Sequence, residues 1–197
     1  MKKTIFTIIT IFLCSTSIMG EITMADTNNK SVVMIIAQDN FRDEEYLKPA
    51  GIFKKNGIKV TVASSSLEMA KGMLGAEVKP DILYKDIKVD DYDAVIFVGG
   101  AGANYYWNDT TTHKLAKDTL AKGKILAAIC IAPVTLANAG VLKGKNATVF
   151  SSVADNILKK GAKYTGKSVE VDGNIITAEG PAAATAFGEA IVKALKK

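Results

Sequence analysis

The chain has 197 residues, of which 48% are hydrophobic and 23% are charged, as in an ordinary globular protein of one domain or at most a cramped two. Two cysteines and one histidine exclude a disulfide scaffold, a four-cysteine zinc site and any metal centre that needs two imidazoles. The net charge of +5 is scattered, without basic runs interleaved with aromatic residues, so nucleic-acid binding has little support.

The first 25 residues are typical of a secretory signal peptide. A basic start at Lys2 and Lys3 precedes an uncharged, largely apolar run from Thr4 to Leu13. That run is shorter than the roughly 20 apolar residues that span a bilayer, and it fits the apolar region of a signal. Small residues favour cleavage before Asp26. We therefore expect export to the periplasm or the medium.

Cleavage there would leave 26–30 as a short polar tether and 31–197 as the folded domain. Two alternatives stay open: a buried N-terminal helix, or translation from Met24 or Met34, which would leave the protein in the cytoplasm. Removal of the signal would also remove Cys14, leaving Cys130 without a partner for a disulfide.

Apolar runs of strand length alternate with segments of helical periodicity along the rest of the chain. This alternation predicts an α/β sandwich with a mostly parallel sheet, whose ligand site lies beyond the carboxyl ends of the strands. In chain order the predicted elements are a strand at Ser31–Ala37, a helix at Asp43–Lys55, a strand at Lys59–Ala63, a loop with short strand pieces at Ser64–Asp91, a strand at Tyr92–Val98, a helix at Thr110–Ala121, a strand at Lys124–Ile129, a helix at Ala132–Ala139, a fifth strand at Ala147–Phe150, a helix at Val153–Lys160, a hairpin at Ser168–Thr177 turning at Asp172-Gly173, and a helix at Pro181–Leu195. In the first of these helices we expect Leu47, Ile52 and Phe53 to face inward and Pro49 to kink the helix or delay its start.

Cys130 carries the strongest chemical signal. It lies where a buried strand meets a helix, with the small residues Ala128 and Ala132 two positions before and after it. This is the pattern of a nucleophile elbow, with cysteine as the nucleophile and alanines at the flanking small positions. The following helix N-terminus favours negative charge, which predicts a lowered thiol pKa. The alternative is a small buried core cysteine.

Two further segments follow strands that end at the same edge. Glu45 closes an acidic triplet after the first strand, and either it acts on Cys130 as a proton carrier or the triplet only stabilises a helix start. Gly99 and Gly100 follow the third strand, and they offer either amide donors to an oxyanion or only a tight turn.

The single histidine, His113, is the only imidazole available to a cysteine–histidine pair, but its position in a helix favours an exposed histidine without a catalytic role. Ile131 follows Cys130 directly and brings no acid–base side chain, although its amide is a further candidate oxyanion donor. The aromatic cluster at Tyr105–Trp107 could line a pocket, cover the sheet edge or form a dimer contact.

These motifs together resemble the ThiJ/PfpI superfamily, which includes the parkinsonism-linked protein deglycase and archaeal intracellular proteases. The resemblance covers nearly the whole chain from Ser31 to Leu195. It rests on Phe41–Glu45 with Pro49, Val98–Ala101, Ala127–Pro133 and Glu179–Pro181.

The resemblance implies a flavodoxin-like three-layer sandwich that forms a homodimer or a higher assembly. It implies that Cys130 is the reactive, oxidation-prone nucleophile and that Glu45 hydrogen-bonds it. It also places Gly99 and Gly100 on the oxyanion side. No cofactor and no metal are expected.

One departure from the family's pattern narrows the set of activities that we expect. Protease-like members place a histidine directly after the cysteine, whereas this chain has Ile131, and amide cleavage needs a general acid for the leaving amine. The first hypothesis is therefore an enzyme of the glyoxalase or deglycase type that acts on reactive carbonyls in stress protection. The second is a redox sensor or chaperone with an oxidisable Cys130, and the third is a peptidase that uses His113 or a histidine of a neighbouring subunit.

Overall fold

The computed structural model describes residues 29–197, and the expected α/β architecture with a mostly parallel central sheet is confirmed. The signal peptide predicted at 1–25 lies outside the described residues. The strands are β1 (Ser31–Ile35), β2 (Asp39–Phe41), β3 (Lys59–Ser64), β4 (Ala70–Gly72), β5 (Glu77–Val78), β6 (Ile82–Leu83), β7 (Ala94–Phe97), β8 (Ile125–Ile129), β9 (Asn146–Ala147), β10 (Lys163–Tyr164), β11 (Val169–Asp172) and β12 (Ile175–Ala178).

The central sheet has seven strands in the order β11-β12-β8-β7-β1-β3-β6. All neighbouring strands run parallel except β11, which pairs antiparallel with β12. Every residue of β7, β8 and β12 is buried. Continuous apolar runs of this kind suit parallel strands that are covered on both faces.

Helices cover both faces of this sheet and give the three layers of a flavodoxin-like fold. The long helices α1 and α5 pack against each other, and α2 packs against α3, β7 and β8. The helices are α1 (Asp43–Lys55), α2 (Thr110–Ala121), α3 (Pro133–Asn138), α4 (Ala154–Leu158) and α5 (Ala184–Leu195), with 3-10 turns at Tyr84–Asp86, Val89–Asp91, Ala101–Tyr106, Ser151–Val153 and Pro181–Ala183.

Helices α1 and α2 have the bounds that the sequence predicts. Pro49 lies inside α1 without ending it, and its buried ring belongs to the inner face of the helix with Tyr46 and Phe53. Leu47 was expected on that face, but its side chain is 51% exposed. The expectation was wrong because the helix turns its Tyr46–Pro49–Phe53 stripe to the interior, where α1 packs on α5 and β3, and leaves Leu47 outside that stripe.

The fifth strand predicted at Ala147–Phe150 is wrong as a strand of the central sheet. Only Asn146 and Ala147 form a strand, β9, which pairs with β10 in a separate two-stranded sheet. The neighbour of β8 on that side is β12. The chain after β9 instead crosses the carboxyl end of β8, where the Phe150 amide donates to the Cys130 carbonyl at 2.9 Å.

The segment after β3, expected as a loop with short strand pieces, contributes β6 to the edge of the central sheet. It also forms a small sheet in which β4 lies between β2 and β5. Asp43 at the start of α1 fastens this small sheet, because its carboxylate accepts from the amides of Leu74 and Ala76 at 2.8 and 2.7 Å.

Among residues 29–197, no helix combines the length and the apolar character that crossing a membrane requires.

Candidate active site

Cys130 stands in a strained backbone conformation at the carboxyl end of β8. Its φ of 63° is a left-handed value that side chains with a Cβ rarely adopt. Two neighbouring segments fix this conformation, because the Cys130 amide donates to the Ala178 carbonyl of β12 at 2.9 Å and the Cys130 carbonyl accepts from the Phe150 amide at the same distance. Such strain persists only where neighbouring structure holds it, and it is concentrated at functional sites.

The small residues around the elbow are required by close approach. Ala128 and Ala132 are buried on either side of the turn, as the sequence predicts. A Cβ added to Gly99 would lie 2.4 Å from a Glu45 carboxyl oxygen and 2.5 Å from the Cys130 Cβ. Any side chain at this position would therefore separate the two candidate catalytic groups.

Gly100 allows the backbone at the start of α1 to pack closely against the end of β7. Its φ of 99° suits glycine, and an added Cβ would lie 2.3 Å from the Arg42 amide nitrogen. That Arg42 amide donates to the Gly99 carbonyl at 3.0 Å. The Gly99-Gly100 turn therefore sets how closely the start of α1, which carries Glu45, approaches Cys130.

Glu45 is fully buried, and neither of its carboxyl oxygens has a partner with hydrogen-bond geometry among the described residues. Burial raises the pKa of Glu45 to about 7, although the nearby Cys130 thiol and Gly99 amide act to lower it. The structure thus brings Glu45, Gly99 and Cys130 together and gives the carboxyl group a pKa near neutrality.

Cys130 is buried, with 9% of the residue exposed. Burial, followed by the charge of Glu45, raises the pKa of Cys130 to about 12, although the amides of Gly100 and Ile131 act to lower it. The lowered pKa expected from the following helix is therefore wrong. Helix α3 has only six residues, and the effect of its N-terminus is outweighed by burial and by the carboxylate.

The three amides expected to face an oxyanion are divided between the two side chains. The amides of Gly100 and Ile131 lie close enough to the Cys130 sulfur to affect its pKa. The Gly99 amide instead acts on the Glu45 carboxyl group. The arrangement therefore offers two amide donors to the sulfur side and one to the acid.

The other two acids of the triplet have structural partners. Burial acts to raise the pKa of Asp43, but hydrogen bonds from Ala76 and Leu74 lower it more, so that it lies below the ordinary value. Glu44 forms an ion pair with Arg42 at 2.8 Å. Only Glu45 of the three turns toward Cys130, a distinction that the sequence alone leaves open.

His113 lies behind the elbow. Its Nε2 is 2.9 Å from the Trp107 carbonyl oxygen, which also accepts from the Asn138 side chain at 2.9 Å. The Trp107 indole in turn donates to the Ile131 carbonyl at 3.1 Å. Within residues 29–197, no hydrogen bond or ion pair joins His113 to Cys130 or Glu45, so its contacts support Trp107 rather than the thiol.

Sequence reasoning did not assign this role to Trp107. The indole holds the backbone carbonyl of Ile131, the residue after Cys130, and Trp107 and Ile131 lie on different segments that only the fold brings together. A tryptophan eight residues after a glycine turn has no spacing signal that would reveal such a contact.

A sequence model of the DJ-1/PfpI family matches residues 30–194. The chain belongs to the DJ-1/PfpI family. The match covers the elbow, the acidic triplet and both glycine turns, so the DJ-1/PfpI resemblance read from those motifs is confirmed.

Several known proteins are similar to this chain over most of its length and over most of their own. An uncharacterized protein of Methanocaldococcus jannaschii is 43% identical, covering 86% of this chain and 84% of the relative. A deglycase of Pyrococcus abyssi is 30% identical, covering 83% of this chain and 99% of the relative. A glutathione-independent glyoxalase of Caenorhabditis elegans is 28% identical, covering 85% of this chain and 89% of the relative. The crystal structure of a ThiJ/PfpI domain protein from Brachyspira murdochii is similar with a TM-score of 0.83 and 36% identity, covering 86% of this chain and 97% of the other.

Proposed function

We propose that this DJ-1/PfpI protein is a cysteine-dependent enzyme that acts on reactive carbonyl compounds, with methylglyoxal or its early adducts on proteins as substrates. The observation that carries the proposal is the buried Glu45 carboxyl group beside Cys130, with its pKa raised to about 7. A general base works best when its pKa lies near the working pH. Glu45 therefore has the property that a proton carrier at this thiol needs.

The first step is addition of Cys130 to the aldehyde. The thiol carries its proton at neutral pH because its pKa is raised, so the ionised Glu45 takes that proton as sulfur bonds to the carbonyl carbon. The carbonyl electron pair moves to oxygen, which the amides of Gly100 and Ile131 can stabilise as negative charge develops. Protonation of that oxygen by Glu45 gives a hemithioacetal and regenerates the carboxylate.

With methylglyoxal, Glu45 next moves the proton from the carbon that bears sulfur to the ketone oxygen, and an enediol forms. Glu45 then moves the hydroxyl proton at the sulfur-bearing carbon to the neighbouring carbon, which gives a thioester of lactate. Water hydrolyses the thioester, releasing lactate and the free thiol. The net reaction converts methylglyoxal and water into lactate and a proton, and it needs no redox partner.

The names of the relatives support a carbonyl reaction, since one is a deglycase and another a glyoxalase. The raised pKa of Cys130 favours an enzyme with a base over a redox sensor, because oxidation follows thiolate character. The contact of His113 with Trp107, together with an apolar Ile131, disfavours a peptidase.

The test measures loss of methylglyoxal and formation of lactate by the purified protein, with Cys130→Ala and Glu45→Gln as variants. We expect both substitutions to lower kcat/KM by at least about a hundredfold, the size of a general-base contribution. The wild-type kcat/KM should rise with pH through about 7 as Glu45 ionises.

A Leu158→Ala control changes an exposed side chain outside this site and should leave kcat/KM unchanged. A second arm uses a purified methylglyoxal adduct of a peptide, free of methylglyoxal, to separate deglycase from glyoxalase activity. Unchanged methylglyoxal and adduct, with Cys130→Ala indistinguishable from wild type, would overturn the proposal. Selective peroxide oxidation of Cys130 without turnover would instead favour the sensor.

A further inference from the structure

A cavity of about 200 Å³ lies against the elbow and has no role in the chemistry derived above. It is lined by Phe150, Ser151 and residues 179–182. Two contacts place it beside the reacting groups. The Phe150 amide donates to the Cys130 carbonyl, and a Cβ placed on Gly180 would lie 4.0 Å from a Glu45 carboxyl oxygen. A substrate held on Cys130 would therefore have this cavity next to it.

Glu179 provides a negative charge in the wall of this cavity. Strand β12 pairs with β8 so that Ala178 is opposite Ile129, which places Glu179 level with Cys130. Its amide donates to the Ser168 carbonyl, whereas its carboxylate has no ion pair or hydrogen bond with any residue in the described part of the chain. A half-buried carboxylate without a cationic partner attracts positive charge and repels negative charge.

Phe150 provides an aromatic surface in the same wall. Its side chain is 42% exposed, and its ring is close enough to Gly180 that an added Cβ would lie 3.3 Å from Cδ2. Aromatic faces attract ammonium and guanidinium groups, and more so where water is partly excluded. An aromatic ring and an unpaired carboxylate in one small cavity are thus suited to a cation.

We propose that Phe150 and Glu179 form a subsite that binds a positively charged group, an ammonium or a guanidinium, on the molecule that reacts with Cys130. The inference rests on the proposed function, because it selects among reactive carbonyls those borne on amine or guanidine groups. It assigns Glu179 as a specificity-determining residue and leaves Cys130 and Glu45 as the reacting groups.

The test measures charge selectivity at Cys130 without any turnover. Two methanethiosulfonate reagents of similar size are used, one carrying a trimethylammonioethyl group and the other a sulfonatoethyl group. In each reaction Cys130 loses its proton and its sulfur bonds to the reagent's divalent sulfur, the bond from that sulfur to the sulfonyl group breaks, methanesulfinate leaves, and Cys130 ends as a mixed disulfide. Peptide mass spectrometry reads Cys130 separately from Cys14, and the rates are divided by those of glutathione.

In the wild-type protein we expect the normalised rate of the cationic reagent to exceed that of the anionic reagent. Glu179→Gln should lower this ratio about fivefold, as expected for loss of one nearby charge. Phe150→Leu should lower the advantage of the cationic reagent over neutral methyl methanethiosulfonate by about two- to threefold. Glu179→Lys should invert the preference.

Glu189→Gln is the matched control, because it removes the same charge from an exposed position on α5 and should leave the ratio unchanged. A ratio near one in the wild-type protein overturns the proposal without recourse to any variant. An equal fall in Glu179→Gln and Glu189→Gln also overturns it, since net charge would then explain the selectivity.

The two proposals fail in different ways. Charge selectivity at Cys130 without loss of any carbonyl substrate would keep the subsite and overturn the proposed reaction. Turnover of methylglyoxal with no charge selectivity would keep the reaction and overturn the subsite.

Discussion

At the scale of one residue, burial of the Glu45 carboxyl group in the candidate site destabilises the folded protein at neutral and higher pH. Its folded-state pKa is about 7, against an ordinary value of 4.5 in the unfolded chain. Below pH 4.5 both states hold the proton, so the folded state carries no penalty. Between these two values the unfolded chain releases its proton and the folded protein does not, so stability falls as pH rises, and above about 7 the loss is complete.

We therefore expect Glu45→Gln to abolish the loss of stability that burial of Glu45 causes between pH 4.5 and pH 8. The free energy of unfolding of the wild type should fall over this range by about 3 kcal/mol more than that of the variant, the equivalent of the shift in pKa. Urea unfolding at both pH values measures it. Glu44→Gln is the control, because the pKa of Glu44 is lowered by its Arg42 partner and the sign is opposite. Parallel pH profiles for wild type and Glu45→Gln would contradict the burial argument.

At the scale of elements, the contact between α1 and α5 fixes where Glu45 stands. Gly188 on α5 faces the middle of α1, and an added Cβ would lie 3.0 Å from both the Pro49 Cα and the Ile52 Cδ1. Gly51, on α1 itself, has open space where its Cβ would be. Close packing of the two helices therefore requires a glycine at position 188 but not at position 51.

We expect Gly51→Ala to stabilise the protein by about 0.5–1 kcal/mol, because alanine loses less backbone entropy than glycine in a helix. Gly188→Ala should instead destabilise it by about 1–2 kcal/mol, because the backbone of α1 must move. That movement should also lower kcat/KM through Glu45. Thermal unfolding and methylglyoxal turnover of both variants check this pair, and equal effects of the two substitutions would contradict it.

The sequence predicts most of the elements because long apolar runs and helical periodicity are local signals. The prediction of a strand fails at Ala147–Phe150. This apolar segment has the length of a strand, but it crosses the end of β8, where the Phe150 amide donates to the Cys130 carbonyl. The sequence also misses β2, a three-residue strand that lacks an apolar run and depends on long-range pairing with β4.

Within the candidate site, the sequence identifies Cys130 from its position and its small neighbours. The direction of its pKa shift could not be predicted, since that direction depends on how deeply Cys130 and Glu45 are buried together. The contact between Trp107 and Ile131 joins two loops, and the Phe150 and Glu179 cavity joins two others. Such contacts between distant segments leave no spacing pattern.

At the scale of the whole molecule, the fate of the first 25 residues is a matter for direct measurement. We expect the natural protein to begin at Asp26 and to occur outside the cytoplasm, because the start of the chain is typical of a cleaved secretory signal. N-terminal sequencing of protein from fractionated cells checks this. A chain beginning at Met1, Met24 or Met34 in the cytoplasmic fraction would contradict it.

Assembly is the second property of the whole molecule. We expect a homodimer or a higher homo-oligomer, as the resemblance to the ThiJ/PfpI superfamily implies. Sedimentation velocity across a range of protein concentrations measures the mass in solution. A species of one chain's mass at micromolar concentration and above would contradict the expectation.

The whole chain contains one tryptophan, so its emission reports a single place. That place is the back of the elbow, where the Trp107 indole donates to the carbonyl of Ile131. We expect alkylation of Cys130 to change the emission of the folded protein, because a group added to sulfur displaces the adjoining peptide and alters that hydrogen bond. Cys130→Ala treated with the same reagent should show no change, which separates this effect from reaction at Cys14. An unchanged spectrum after complete alkylation of Cys130 would mean that the Ile131 peptide does not move when the thiol reacts, and the emission would then report only unfolding.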